Sequence, residues 1–137
     1  MKITAVETFR TATPVHETAG TNWLFVRVDT DAGISGWGEG SLQYKDAALE
    51  AEIADFAQFL VGLDPRRIEH IWTSLYRRVS WTGGAVTMSA IAAIDLALWD
   101  IKAKALGVPV MELAGGPTRE SIDVYANGWV EGMAKPT

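Results

Sequence analysis

The sequence contains no cysteine. Disulfide scaffolds, iron–sulfur clusters, thiolate zinc sites and cysteine nucleophiles are therefore excluded, and the absence fits a reducing compartment. Histidine is scarce. The only two, His16 and His70, stand far apart and in no H-x-E or H-E-x-x-H spacing, which argues against a histidine-built metal site. No stretch approaches the roughly 18 apolar residues of a membrane span. Nor is there a run of like charge: 12 basic and 17 acidic residues are interspersed to a net −5. A phosphate-tracking surface needs clustered Lys and Arg, so neither nucleic acid nor a membrane is expected as a partner. The N-terminus, Met-Lys-Ile-Thr, turns polar at once without an apolar h-region, so no signal peptide is read and a cytoplasmic location is expected. What remains is a chain of 137 residues, 48% apolar, enough for one domain with a core that needs no covalent staple.

The first forty residues have the period of strands. Ile3, Ala5, Glu7 and Phe9 alternate with Lys2, Thr4, Val6 and Thr8, a period-two pattern. A polar loop over 11–21 contains Pro14, His16 and Gly20, and residues 22–29 (Asn-Trp-Leu-Phe-Val-Arg-Val-Asp) read as a second strand. Thr30-Asp31-Ala32-Gly33 is turn chemistry, and 34–39 returns as a third strand interrupted by Gly36 and Gly38. Together they predict a three-stranded antiparallel meander.

From about Tyr44 the period becomes helical. Leu49, Ile53, Phe56 and Leu60 recur on one face, with Gly62 as the stop. Asp64-Pro65 reads as an N-cap with proline at the first helical position, opening a helix striped by Ile68, Ile71, Trp72, Leu75 and Val79. A third helix over 86–106 is apolar through Ile91, Ile94, Leu98 and Ile101, alanine-rich, and ended by Gly107 and Pro109. Gly115-Gly116-Pro117 marks a boundary, and 121–127 reads as one further strand whose edges need partners. Without them, Ile122, Val124 and Trp129 would form an exposed apolar patch.

Spacing alone yields no catalytic constellation. Gly36-Trp37-Gly38-Glu39-Gly40 is neither a dinucleotide fingerprint nor a P-loop, since no helix follows it; glycines in a bulged strand that admit another backbone are the expected reading. Lys102 and Lys104 look like a lysine pair, but residues two apart on a helix point roughly 200° apart, so they read as a solvated pair favoured by the helix C-terminus. Asp95 and Asp100 read as capping or ion-pairing groups. His16 and Asn22, beside a glycine-containing loop, and Trp81, beside Gly83-Gly84, read as solvated or packing groups, or as parts of a lid and a pocket wall.

One stretch is more specific. Residues 90–104, Ala-Ile-Ala-Ala-Ile-Asp-Leu-Ala-Leu-Trp-Asp-Ile-Lys-Ala-Lys, continuing through Pro109 to Leu113-Ala-Gly115, resemble the helix signature of the mandelate racemase and muconate lactonizing enzyme family of the enolase superfamily. Asp95, Ala97, Asp100, Ala103, Lys104, Pro109, Leu113 and Gly115 match that pattern; Ala114 departs from it, where a larger aliphatic residue is usual. Residues 22–28 and 31–39 resemble the family's second and third strands, 81–90 the lead-in to its long helix, and 124–129 its first barrel strand. The flavour is that of acid-sugar dehydratases such as galactonate or mannonate dehydratase.

The resemblance implies an α+β fold: the meander followed by a three-helix bundle as a capping domain over 1–115, then a linker and the first strand of a truncated β/α barrel over 116–137. It implies Mg²⁺ as cofactor, held by barrel carboxylates, and a proton removed α to a carboxylate with loss of a β-hydroxyl. A barrel needs roughly 250 residues, so neither catalytic residues nor metal ligands are expected in this chain, and alone it is expected to be inactive. The cap's share is substrate contact through the loop at 13–23, with His16, Asn22 and Trp23, through Trp81, and through Asn127 at the end of the barrel strand. The implied partners are a carboxylate substrate, a sugar acid by this reading, its own barrel domain, and further copies in a homo-oligomer. A racemase or cycloisomerase of the same family, and a stand-alone α+β binding module, are the alternatives.

Overall fold

The computed structural model describes residues 1–12, 22–78 and 80–124. Strands β1 (Ile3–Ala12), β2 (Asn22–Thr30) and β3 (Ser35–Glu39) form an antiparallel sheet in the order β1-β2-β3. Helices α1 (Asp46–Leu60), α2 (Ile68–Tyr76), α3 (Ala85–Leu106) and the short α4 (Val110–Leu113) follow. The α+β meander-then-helices architecture expected from the sequence is the one observed. α4 was not anticipated: Pro109 and Gly115 were read as terminators, and the single turn between them is too short to show a period.

The period-two alternation expected of β1 does not run unbroken. Ile3 pairs with Thr30 and Ala5 with Asp29, so two steps on β1 match one on β2. This bulge moves later residues to the opposite face. Ile3 is buried and Val6 packs on the core, whereas Glu7 and Phe9 lie on the outer face with Arg27, which stands opposite Glu7. β3 is not bulged; its register with β2 is regular from Ser35 to Glu39. Its glycines do admit another backbone. A Cβ on Gly36 would lie 2.1 Å from the Ala97 carbonyl oxygen, and one on Gly38 would lie 1.9 Å from that of Ala93.

α3 therefore lies directly on the inner face of the sheet, while α1 and α2 contact it as well. A helix covered on several sides is apolar round much of its circumference: Ile91, Ile94, Leu98 and Ile101 are buried together with Ala90, Ala93 and Ala97. Leu49, Ile53, Phe56 and Leu60 of α1, Ile68, Ile71 and Leu75 of α2, and Leu24, Val26 and Val28 of β2 complete the core. α3 ends as expected at Gly107, whose φ of 70° is left-handed while the next amide, Val108, returns to the Ala103 carbonyl.

Two further expectations need correction. α2 begins at Ile68 rather than at Pro65. The Asp64 carboxylate accepts from the Arg66 amide at 3.0 Å, and the Asp64 carbonyl accepts from the Arg67 amide at 3.1 Å. This side-chain-closed turn precedes the helix instead of capping it. The Arg66 guanidinium and amide hold the Asp64 carboxyl down to about 2. The strand expected over 121–127 is absent from 121–124, which belong to no sheet, and Ile122 and Val124 are exposed. Val79, residues 125–127 and Trp129 lie outside the described residues. No helix among the described residues is long and apolar enough to cross a membrane.

Candidate functional site

One end of the fold gathers the segments that the sequence singles out. β1 ends and β2 begins there, with Ala12 paired to Asn22 and Thr11 to Trp23. β3 also leaves the sheet at this end. The Gly40 amide donates to the Leu24 carbonyl at 3.0 Å, and the Leu24 amide donates to the Ser41 hydroxyl at 2.9 Å. Ser41 thus supplies the acceptor that a continuing strand would have given. Its own amide donates to Glu39 Oε1 at 2.7 Å. The chain then turns through Lys45, whose amide donates to the Leu42 carbonyl, with Tyr44 at a φ of 63°, a left-handed conformation that costs a non-glycine residue energy. α3 reaches the same end: Gly40 lies against Ala93 and Ser89, so the helix N-terminus and the preceding loop extend beyond it.

Of the expected contact residues, Trp23 stands on the outer face of the sheet, 48% exposed and stacked on Phe25 with ring centroids 6.4 Å apart. Trp81, in the loop before α3, is 90% exposed. The backbone of Asn22 starts β2; its side chain, His16 and Asn127 lie outside the described residues. The structure therefore places Trp23 and Trp81 at exposed positions without joining them into a described cluster. Sequence reasoning missed Tyr44 and Ser41, for which the only signal was the glycine-flanked exit of β3.

The lysine pair resolves differently from a solvated pair. Lys102 lies over the Trp99 ring at 5.1 Å. Lys104 reaches back to Asp100 Oδ2 at 2.6 Å and to the Ser35 carbonyl at 2.9 Å, and Asp100 Oδ2 also accepts from the Trp37 amide at 2.9 Å. Asp100 is the ion-pairing group expected of it. Both residues hold α3 to the free edge of β3, occupying backbone groups that would otherwise invite another strand.

A second feature was not foreseen. Between β3, α3 and α4 runs a groove of about 710 Å³, walled by Phe25, Trp37, Leu96, Trp99 and Val110. Its signal was present: Trp23 and Phe25 occupy the outward positions of β2, where alternation calls for polar residues. Burial pushes the Asp95 carboxyl at this groove upward; the Glu69 charge adds to the shift and a hydrogen bond with Trp99 opposes it. A raised folded-state value favours folding below the ordinary carboxylate range and is lost as pH rises through the raised value. Asp95→Asn is therefore expected to raise Tm at pH 7, with the gain closing near pH 3, as thermal melts at the two pH values would show.

No three His, Cys, Asp or Glu side chains among the described residues come together as a ligand set that would fit a metal ion; the resemblance places the Mg²⁺ on barrel carboxylates, outside this chain. What the described end of the fold offers is exposed aromatic surface and hydrogen-bonding loops, suited to covering a ligand.

Comparison with known proteins places the fold. The model of the mandelate racemase / muconate lactonizing enzyme N-terminal domain matches residues 1–115. Among curated proteins, the D-galactonate dehydratase of Variovorax paradoxus (strain S110) is 48% identical over 132 residues, 96% of this chain and 32% of that protein. The chain thus spans about a third of the length of the curated relatives it matches. Among solved structures, an enolase from Pantoea ananatis with bound D-gluconate and Mg superposes with a TM-score of 0.78 at 38% identity, covering 86% of this chain and 28% of that one. A member of the enolase superfamily from Salmonella Typhimurium gives 0.80 at 36% identity, over 87% of this chain and 30% of that one. With its meander, its long signature helix and a family match over residues 1–115, the chain belongs to the mandelate racemase / muconate lactonizing enzyme family.

Proposed function

We propose that this chain is the substrate-covering N-terminal part of a cytoplasmic, Mg²⁺-dependent dehydratase acting on a sugar acid of the galactonate kind. The observation that carries the reading is the 48% identity to a D-galactonate dehydratase across 96% of the chain. A related structure described with D-gluconate and Mg supports the substrate class and the metal. The lack of cysteine supports the compartment. In this reading residues 1–115 are the cap, and 116–137 lead into a barrel that holds the metal and the acid–base groups. Trp23 and Trp81, with Asn22, His16 and Asn127 assigned from sequence, contact the substrate, and the whole protein assembles as a homo-oligomer. The reaction removes the proton α to the carboxylate and expels the β-hydroxyl as water, leaving a 2-keto-3-deoxy acid.

The test is to supply D-galactonate and D-gluconate to the whole protein, isolated from its source, and to the 137-residue chain by itself. The whole protein is expected to yield one 2-keto acid per acid consumed, in a Mg²⁺-dependent manner, and the chain alone none. Epimerisation at the α carbon without loss of water, or no turnover of either acid, would overturn the assignment.

A further inference from the structure

The register of β2 with β3 ends where Phe25 pairs with Glu39. Past that pair the two segments stay joined at Leu24. The Gly40 amide donates to the Leu24 carbonyl, and the Leu24 amide donates to the Ser41 hydroxyl at 2.9 Å. We propose that Ser41 is a positioning residue for the substrate contacts at Asn22 and Trp23: it fixes the first residues of β2 without touching the substrate. The inference rests on the substrate contacts assigned under the proposed function and deepens that reading.

Ser41 is suited to this because its own place is set from the helices. Just before it, Gly40 lies against α3, where an added Cβ would meet that of Ala93 at 2.7 Å. Just after it, Leu42 packs on the core, and its carbonyl accepts from the Lys45 amide at the entrance to α1. The Ser41 amide donates to Glu39 Oε1 at 2.7 Å, which holds the residue in its turn. The hydroxyl is therefore presented from a framework built by α1 and α3. At the other end of the bond Leu24 is fully buried, so its amide has no water to turn to when the hydroxyl is removed. A buried donor without a partner is relieved by moving, and Asn22 and Trp23 are the residues directly before it in the strand. Trp23, half exposed, is not held by the core and follows any shift of Leu24.

The test is steady-state kinetics on the whole protein with D-galactonate. Ser41→Ala is expected to raise KM about tenfold with kcat within about twofold, because it loosens binding groups while the proposed acid–base groups stand outside this chain. Ser41→Thr, which keeps the hydroxyl, should restore KM, and Ser41→Cys, whose thiol is a weaker acceptor, should fall between. Gly33→Ala, in the turn at the opposite end of the sheet, lowers stability without moving these contacts and should leave KM unchanged. An unchanged KM in Ser41→Ala, an equal rise in Gly33→Ala, or a threonine variant that melts as the wild type yet keeps the KM of alanine would each overturn the proposal. Hydrogen exchange read by mass spectrometry needs no turnover. The Leu24 amide should exchange about tenfold or more faster in Ser41→Ala than in the wild type, and unchanged protection there overturns the proposal as well. A wild-type protein that turns over neither D-galactonate nor D-gluconate counts against the dehydratase reading, and the exchange at Leu24 then decides the role of Ser41.

Discussion

Gly38→Ala should unfold the domain, or cost it at least the upper end of the roughly 1–3 kcal/mol typical of an overpacked core, because the atoms met cannot yield. The added methyl would sit 1.9 Å from the Ala93 carbonyl oxygen, 2.9 Å from its carbon and 3.1 Å from the Ala97 amide nitrogen. All three are backbone atoms of α3, so no side chain can turn aside. The helix would have to lift from the sheet, opening the contact that buries Ile94 and Leu98 against Val26 and Val28. Gly33→Ala is the control. Nothing lies within 4 Å of its Cβ position, and only its φ of 72° resists the change, so about 1 kcal/mol is expected. Urea denaturation followed by circular dichroism measures both. A Gly38→Ala protein as stable as Gly33→Ala would mean that α3 and β3 are not in backbone contact.

Asp100→Ala carries the next largest effect. It removes the acceptor of the Trp37 amide and the partner of Lys104 together. Hydrogen bonds to a charged group contribute about 1.5–3 kcal/mol. With the side chain 27% exposed, water recovers part of that, so a loss of about 2 kcal/mol is expected. Asp100→Asn keeps an acceptor for Trp37 and loses only the partly solvated ion pair, a matter of about 0.5 kcal/mol. The alanine variant also frees the edge of β3, which should appear as concentration-dependent association in sedimentation. If alanine and asparagine cost the same, the hydrogen bond to Trp37 contributes nothing and the ion pair is the whole interaction.

The helices were legible because their information is local. Leu49, Ile53, Phe56 and Leu60 announce α1, and Gly107 announces the end of α3, through residues only a few positions away. α2 was legible from Ile68, but not its start, because Asp64 could close a turn or cap a helix and both use the same carboxylate. Of the candidate site, the sequence singled out Trp23 and Trp81, which the structure places at exposed positions. The strained turn at Tyr44 and the Ser41 acceptor that finishes the ladder beside Leu24 were not, since both depend on where β3 leaves β2.

The signature helix shows the division most clearly. Asp100 and Lys104 stand one helical turn apart, and their pairing could be read from the spacing. That they close over Trp37 and Ser35, 63 and 69 positions away, could not. The same holds for the groove, whose walls come from β2, β3, α3 and α4.

By itself, then, the sequence determined the kinds of element, their order and most of their ends, because periodicity, capping and turn chemistry are interactions among near neighbours. The tertiary structure alone decided which side of β1 faces the core, how closely α3 lies on β3, what the paired carboxylate and lysine hold, and where an acidic, aromatic groove opens. Each of these depends on a register or a contact between segments far apart in the chain, and a shift of a single residue, as at the bulge after Ile3, reverses every side chain that follows.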